Sequence, residues 1–197
     1  MSRVEQTGRP APTVRQRLLT AAEDMFYAHG IASVSVDAVV ARAGVATASL
    51  YKNFGGKAGL VAGYLQARDE RWRRHWEAHI EQQSGPRERA LAVFTALETW
   101  NPRHGPNNGC AHLAALQQLP EDHPGAAASR NHKDYLLDRF GQLVSEAGCP
   151  EPEDTATDLL LIYEGTLALQ TTSGKTEAVQ HGRRLARLLL HNANHRT

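Results

Sequence analysis

The chain has 197 residues, 41% hydrophobic and 22% charged, which fits one or two compact units with a real apolar core rather than a disordered chain. Two cysteines, Cys110 and Cys149, exclude a disulfide framework; there is no run of eighteen uncharged apolar residues for a membrane span and no apolar signal core at the start, so cytoplasm is the default expectation. The net charge of +1 is unevenly spread: residues 1–60 carry seven Lys/Arg against four Asp/Glu, and residues 61–197 fifteen against seventeen, a basic front and a mildly acidic rear that suggest two tasks.

Residues 1–11, with Gly8 and Pro10 and no apolar period, read as a disordered arm. Val14, Leu18, Ala21, Met25 and Phe26 then recur at helical spacing, with Thr13 as cap and Gly30 as stop, predicting a helix over 13–29. Ser35 caps a short helix that ends at Gly44. After Val45-Ala46, Thr47 is expected to cap a second short helix, Ala48 to Phe54. Gly55-Gly56 breaks the chain before a long helix from Lys57 to 83. Further helices are expected over 86–100, 110–118, 125–147, 153–172 and 175–193, divided by the breaker cluster 101–109, Pro120, Pro124, Gly148-Cys149-Pro150 and Ser173-Gly174. With about nine helices and no convincing strand, the class is all-α.

The window 35–60 carries the most chemistry. Val36, Val39, Val40, Ala43, Val45 and Leu50 can share a small core, leaving Thr47, Ala48, Ser49, Tyr51, Lys52 and Asn53 on the free face of the second short helix. Two short helices joined by a tight glycine turn have helix-turn-helix geometry. Such a helix enters the major groove, about 12 Å wide, where hydroxyls read base edges and Ala48 meets a thymine methyl. Tyr51, Lys52 and Lys57 suit phosphate oxygens, as do the helix starts at Ser35 and at Gly56-Lys57, whose backbone N–H groups attract anions.

Gly30, Ser35-Val36, Ala43-Gly44-Val45, Leu50-Tyr51, Phe54, Lys57 and Leu60, in this order and spacing, resemble the TetR family of transcriptional regulators over residues 12–72. Asn108-Gly109-Cys110 resembles one subset of that family. Two departures stand out: Ala58 where the family often has an acid, and Gly59 and Gly63 inside the long helix, each expected to cost roughly 0.5–1 kcal/mol and to soften its first turns. The resemblance implies an N-terminal helix-turn-helix DNA-binding domain over 12–72 (motif 35–54), joined through the long fourth helix to a ligand-binding and dimerisation domain over 73–195.

The rear supplies candidates for an apolar ligand pocket between helices: Trp72, Trp76, Phe94, Trp100, Cys110, Leu113, Gln117, Tyr135 and Tyr163. Simple core packing explains the same aromatics. Histidines cluster near Cys110, but Cys110 and His112 stand two apart and share no helix face, and no closed metal spacing exists, so neither metal nor cofactor is expected. Nothing in the sequence marks Cys110 as reactive, and Cys149 beside Pro150 reads as exposed. No Ser-His-Asp logic, paired carboxylates or phosphate loop supports catalysis; Glu164 stands as a lone interior acid.

Leu159 to Tyr163 is apolar nearly all round, as at a subunit interface or in a buried core helix. The last helix adds the stripe Val179, Gly182, Leu185, Ala186 and Leu189. The resemblance implies a dimer through these two helices, with Leu159, Ile162, Thr166, Val179, Gly182, Leu185 and Leu189 as interface candidates. The sequence therefore points to a homodimeric repressor released from a near-palindromic DNA operator by an apolar or aromatic small molecule. The rival is a helical interaction or ligand-binding module that does not read DNA.

Overall fold

The computed structural model describes residues 11–100, 109–173 and 177–193. The arm over 1–10, the breaker residues 101–108 and the break at 174–176 lie outside them. Among the described residues there are nine helices: α1 (Val14–His29), α2 (Val36–Ala43), α3 (Thr47–Phe54), α4 (Lys57–Glu81), α5 (Pro86–Thr99), α6 (Ala111–Gln118), α7 (Pro124–Glu146), α8 (Pro152–Ser173) and α9 (Glu177–Ala193). None is long and apolar enough to cross a membrane.

The caps account for the boundaries. Thr13 and Gln16 form a reciprocal capping box, with Thr13 Oγ1 accepting from the Gln16 N–H at 3.2 Å and Gln16 Oε1 accepting from the Thr13 N–H at 2.8 Å. Ser35 Oγ accepts from the Ala38 N–H at 3.1 Å. Gly44, at φ 60°, ends α2 in the left-handed conformation that glycine adopts most cheaply. The turn is tighter than expected: Ala46 holds the cap position of α3, and Thr47 is its first helical residue, with no capping bond from its hydroxyl. Cys149 is buried rather than exposed, because its N–H returns to the Val144 carbonyl and the thiol packs on the rear core.

Two apolar clusters form. The rear one joins α4, α5, α7, α8 and α9 around Trp76, Phe94, Leu136, Phe140 and Leu159. The front one contains Leu18, Phe26, Val39, Leu50 and Leu60, but also Ala111, Ala115 and Ala128 from α6 and α7, so the front core reaches beyond residue 72. An isolated eight-residue helix is marginal. Burying Leu50, worth roughly 1.5–3 kcal/mol, therefore does much to hold α3 in place.

Polar clamps join front and rear. Buried Arg68 on α4 donates to Glu23 on α1 at 2.7 Å, Arg71 pairs with the same carboxylate, and the Arg68 guanidinium lies 4.4 Å from the Tyr27 ring centroid. Gln118, at the end of α6, accepts from the Ile31 N–H at 3.1 Å, and the Tyr27 hydroxyl donates to the Gly109 carbonyl at 3.1 Å. Farther along α4, Glu77 takes the Arg139 fork at 2.7 and 2.8 Å and the Tyr135 hydroxyl at 2.9 Å.

Candidate nucleic-acid interface and effector cavity

Of the eight residues of α3, Leu50 alone is buried and Phe54 is half-buried. Thr47, Ala48, Tyr51, Lys52 and Asn53 are exposed and Ser49 is half-buried, with Tyr51 at 55% exposure despite its ring. Asn53 Nδ2 donates to the Ser49 carbonyl at 2.8 Å, which orients that amide along the helix. Lys57 is half-buried, its Nζ 3.5 Å from the Ala32 carbonyl, and it opens α4 beside the positive-φ pair Gly55-Gly56. The Ser35 hydroxyl oxygen is engaged as a cap, which leaves its proton to donate.

Three arginines missing from the sequence reading surround this head. Arg17 donates to the Gly44 carbonyl and so bolts α1 to the turn. Arg42 pairs with Asp24 at 3.2 Å, and Arg15 lies over the Phe54 ring at 5.4 Å. Their positions on α1 and α2 gave no local signal, because only the packing of α1 against the motif brings them there.

Residues 18–64 match the model of the bacterial regulatory proteins, tetR family. Residues 18–64 thus have the sequence pattern of a TetR-type N-terminal domain. A crystal structure of a TetR-family transcriptional regulator from Streptomyces coelicolor superposes with a TM-score of 0.84 at 26% identity, covering 91% of this chain and 95% of that one. A putative TetR transcriptional regulator from Streptomyces avermitilis gives 0.76 at 27% identity, with 92% and 98% covered. Regulatory protein TetR from Rhodobacter sphaeroides, at 24% identity, shares the fold with a TM-score of 0.78 over 89% and 98%. No curated protein matches the sequence. The resemblance seen in residues 12–72 thus extends, over nine-tenths of the chain, to the all-α fold of TetR-family transcriptional regulators.

The rear divides the pocket candidates. Trp72, Trp100, Cys110 and Tyr163 line one cavity of about 30 Å³, enough for a water-sized guest. Trp76 and Phe94 are fully buried core side chains outside that lining. Tyr135 sits at the α4–α7 seam, bonded to Glu77 and covered by Arg73. Leu113 and Gln117 are exposed on the outer side of α6 and do not line the cavity, because the inner side is taken by Ala111, His112 and Ala115.

Arg68, His112 and His132, absent from the sequence list, complete the polar lining. Cys110 and His112 do meet at this cavity, although two apart. The helix-face rule does not bind Cys110, which is the N-cap of α6 at φ −79°, ψ 112°, and its sulfur accepts from the Leu113 N–H at 3.4 Å. Lys133 Nζ donates to the same sulfur at 3.2 Å and also pairs with Glu164, so that acid is not alone. His132 Nδ1 lies 2.6 Å from Asp69 Oδ1 and its ring stacks on His112 with centroids 3.9 Å apart. Cys110, His132 and Asp69 thus form a nucleophile–imidazole–carboxylate row that the sequence did not reveal, its members coming from the α6 cap, α7 and α4. Among the described residues no group of three or more His, Cys, Asp or Glu is placed to hold a metal ion.

Burial pushes the Cys110 thiol up, but the His132 hydrogen bond and the Lys133 ammonium outweigh it and hold the thiol below its ordinary value. Burial works against charge on His132, yet Asp69 and the sulfur raise it overall. His112 is driven well down by burial and by the positive His132, so it stays neutral. Asp69 is held below the usual carboxylate range by His132 and Arg73, against the opposing effect of burial.

The interface candidates also divide. Leu159, Thr166, Val179 and Gly182 are buried inside the protomer, Ile162 and Leu189 are half-buried, and Leu185 is exposed. Gly182 serves internal packing: a Cβ there would lie 2.1 Å from Thr166 Oγ1 and 2.9 Å from the Phe94 ring. The outward apolar side chains are Leu161 and Leu169 on α8 and Leu185 and Leu188 on α9.

Proposed function

We propose that this protein is a homodimeric repressor whose α3 helices read a near-palindromic operator and whose rear domain releases it on binding a small molecule. The DNA-binding unit spans residues 12–72 and the ligand-binding and dimerisation unit 73–195, with α4 shared between them. The observation that carries the reading is the polar, solvent-facing side of α3, held outward by Leu50 and Phe54. Thr47, Ala48 and Ser49 stand at the N-terminal end that meets base edges. Tyr51, Lys52, Asn53, Lys57 and Ser35 flank it and hold phosphates.

Two such heads on a two-fold dimer sit roughly 34–36 Å apart, one turn of DNA, or somewhat farther. Outward-facing Leu161, Leu169, Leu185 and Leu188 form the contact between protomers. A ligand in the rear shifts the balance only by its different affinity for the free and DNA-bound forms. Fluorescence anisotropy on labelled fragments from upstream of the gene tests the reading. Selective binding is expected, with log affinity falling against log salt by about 0.9 per phosphate neutralised. Equal binding to every fragment, or none, overturns it in favour of a helical module that does not read DNA.

A further inference from the structure

The Cys110 sulfur accepts from two donors, the Leu113 N–H at 3.4 Å and the Lys133 ammonium at 3.2 Å, and the His132 ring lines the same cavity. Such surroundings stabilise a thiolate, the nucleophilic form of cysteine. Asp69 holds the imidazole from behind at 2.6 Å, as a third group orients the base in activated-nucleophile sites. A second observation points to a guest. His112, 2% exposed and lining the same cavity, has no hydrogen-bond partner on either ring nitrogen among the described residues, and neither does Trp72 Nε1. Buried polar groups ordinarily find partners. A neutral histidine and an indole N–H beside an activated sulfur suit a molecule that presents a carbonyl oxygen close to an electrophilic carbon.

We propose that Cys110 captures small α,β-unsaturated carbonyl compounds covalently, and that this adduct is the rear domain's effector signal. The second half of that statement rests on the repressor reading above. The Cys110 sulfur adds to the β-carbon, forming the S–C bond, while the C=C π pair moves to give an enolate. The enolate takes one proton from the His132 imidazolium, which regains it from solvent. No group leaves, and nothing is oxidised or reduced by a third party. The carbonyl oxygen accepts from the N–H of neutral His112. A cavity of about 30 Å³ cannot hold the adduct without opening. The first part to move is α6, whose start is tied to α1 through Gly109–Tyr27 and whose end is tied to the segment after α1 through Gln118–Ile31.

Acrylamide is the probe, followed by intact-mass and peptide mapping of the full-length protein. The groups around the sulfur's cavity are His132 and Lys133 from α7, Arg68 from α4, Tyr163 and Glu164 from α8, and His112 from α6, with Asp69 from α4 behind His132. With these in place the pH profile of Cys110 modification is expected to lie at lower pH than that of N-acetylcysteine, so that Cys110 reacts relatively faster at pH 6.5. The same reaction of N-acetylcysteine rises about tenfold per pH unit below its pKa. Cys149, whose thiol burial pushes up, lags behind at every pH. H132Q lowers the rate and moves the pH dependence toward that of an ordinary thiol, with Lys133 still on the sulfur. C110S abolishes the adduct while a hydroxyl keeps the cap. Adducted wild-type protein loses at least tenfold in affinity for its selected fragment, and acrylamide-treated C110S loses none.

A Cys110 rate that follows ordinary thiol titration, or no adduct at millimolar acrylamide, overturns the proposal without any variant being needed. A Cys110 adduct with the downshifted profile that leaves DNA affinity unchanged overturns its effector half. If the untreated protein selects no fragment, the repressor reading and with it the effector half fail, while the pH profile still decides whether Cys110 is the captured nucleophile.

Discussion

A methyl group added at position 59 would lie 1.9 Å from the Phe54 carbonyl oxygen, and one at position 63 would lie 2.9 Å from the Phe54 ring. These glycines let the start of α4 press against the end of α3. Read along the sequence alone they are only soft spots in a helix; their packing role depends on the angle at which the two helices meet. Gly59→Ala is expected to cost about 1–3 kcal/mol and to lower the melting temperature by roughly 2–12 °C, with weaker DNA binding, as scanning calorimetry and anisotropy will show. Gly141, with open space around its would-be Cβ, takes the same substitution with a gain of about 0.5–1 kcal/mol. Also at this scale, Lys57→Ala should weaken binding to all fragments alike and reduce the salt slope by about one, whereas Thr47→Ala should change the order of preference among fragments, because its hydroxyl stands at the reading end of α3. Competition binding across a fragment panel separates the two effects.

Among the elements, α4 is the one that contributes at length to both apolar cores. It pairs with α1 through Glu23, Arg68 and Arg71, and with α7 through Glu77 and Arg139 and through Asp69 and His132. Arg68 is both a wall of the rear cavity and the partner of α1, so the cavity and the reading head share a side chain. The α4–α7 strut makes a pH prediction. Glu77 is held below its ordinary value of 4.5, foremost by the Arg139 fork, with burial opposing and Tyr135 assisting. A depressed carboxylate contributes stability that is complete above its unfolded pKa and is lost as pH falls through the folded one. Wild-type melting temperature is therefore expected to drop more steeply below about pH 4.5 than that of Glu77→Gln, which starts lower at pH 7. Parallel curves in a thermal scan from pH 3 to 7 would show that the strut contributes nothing.

For the whole molecule, the decisive question is which side of α8 and α9 faces out. Leu161, Gly165, Ala168 and Leu169 make one exposed stripe on α8, and Leu185 and Leu188 one on α9. Leu161, at 66% exposure, stands the farthest out of the leucines. Stripes of this kind on adjacent helices suit burial against a second copy. The double variant Leu161→Glu/Leu188→Glu should remain helical but sediment as a monomer at micromolar concentration and lose operator affinity. Leu159→Glu, which places a charge in the rear core, should instead fail to fold.

The helix starts and stops were legible because caps are local: Thr13 with Gln16, Ser35 with Ala38, and Gly44 each act within a few residues. The free face of α3 was legible for the same reason, since eight residues and one apolar anchor leave a single way to lie. The apolar run in α8 could be read as helical but not oriented. Leucine fills positions on both sides, and the side that turns inward was chosen by where Phe94 and Gly182 left room. Nor could any window show the surroundings of Cys110. Its sulfur, the imidazole of His132 and the carboxylate of Asp69 lie 22 to 63 positions apart, and only the packing of α4, α6, α7 and α8 brings sulfur and imidazole to one cavity and the imidazole onto its carboxylate. Short-range backbone chemistry, written in neighbouring residues, determined the helices and the free face of α3; long-range packing, which depends on shapes from distant parts of the chain, decided the cavity, the surroundings of its thiol and the outward face.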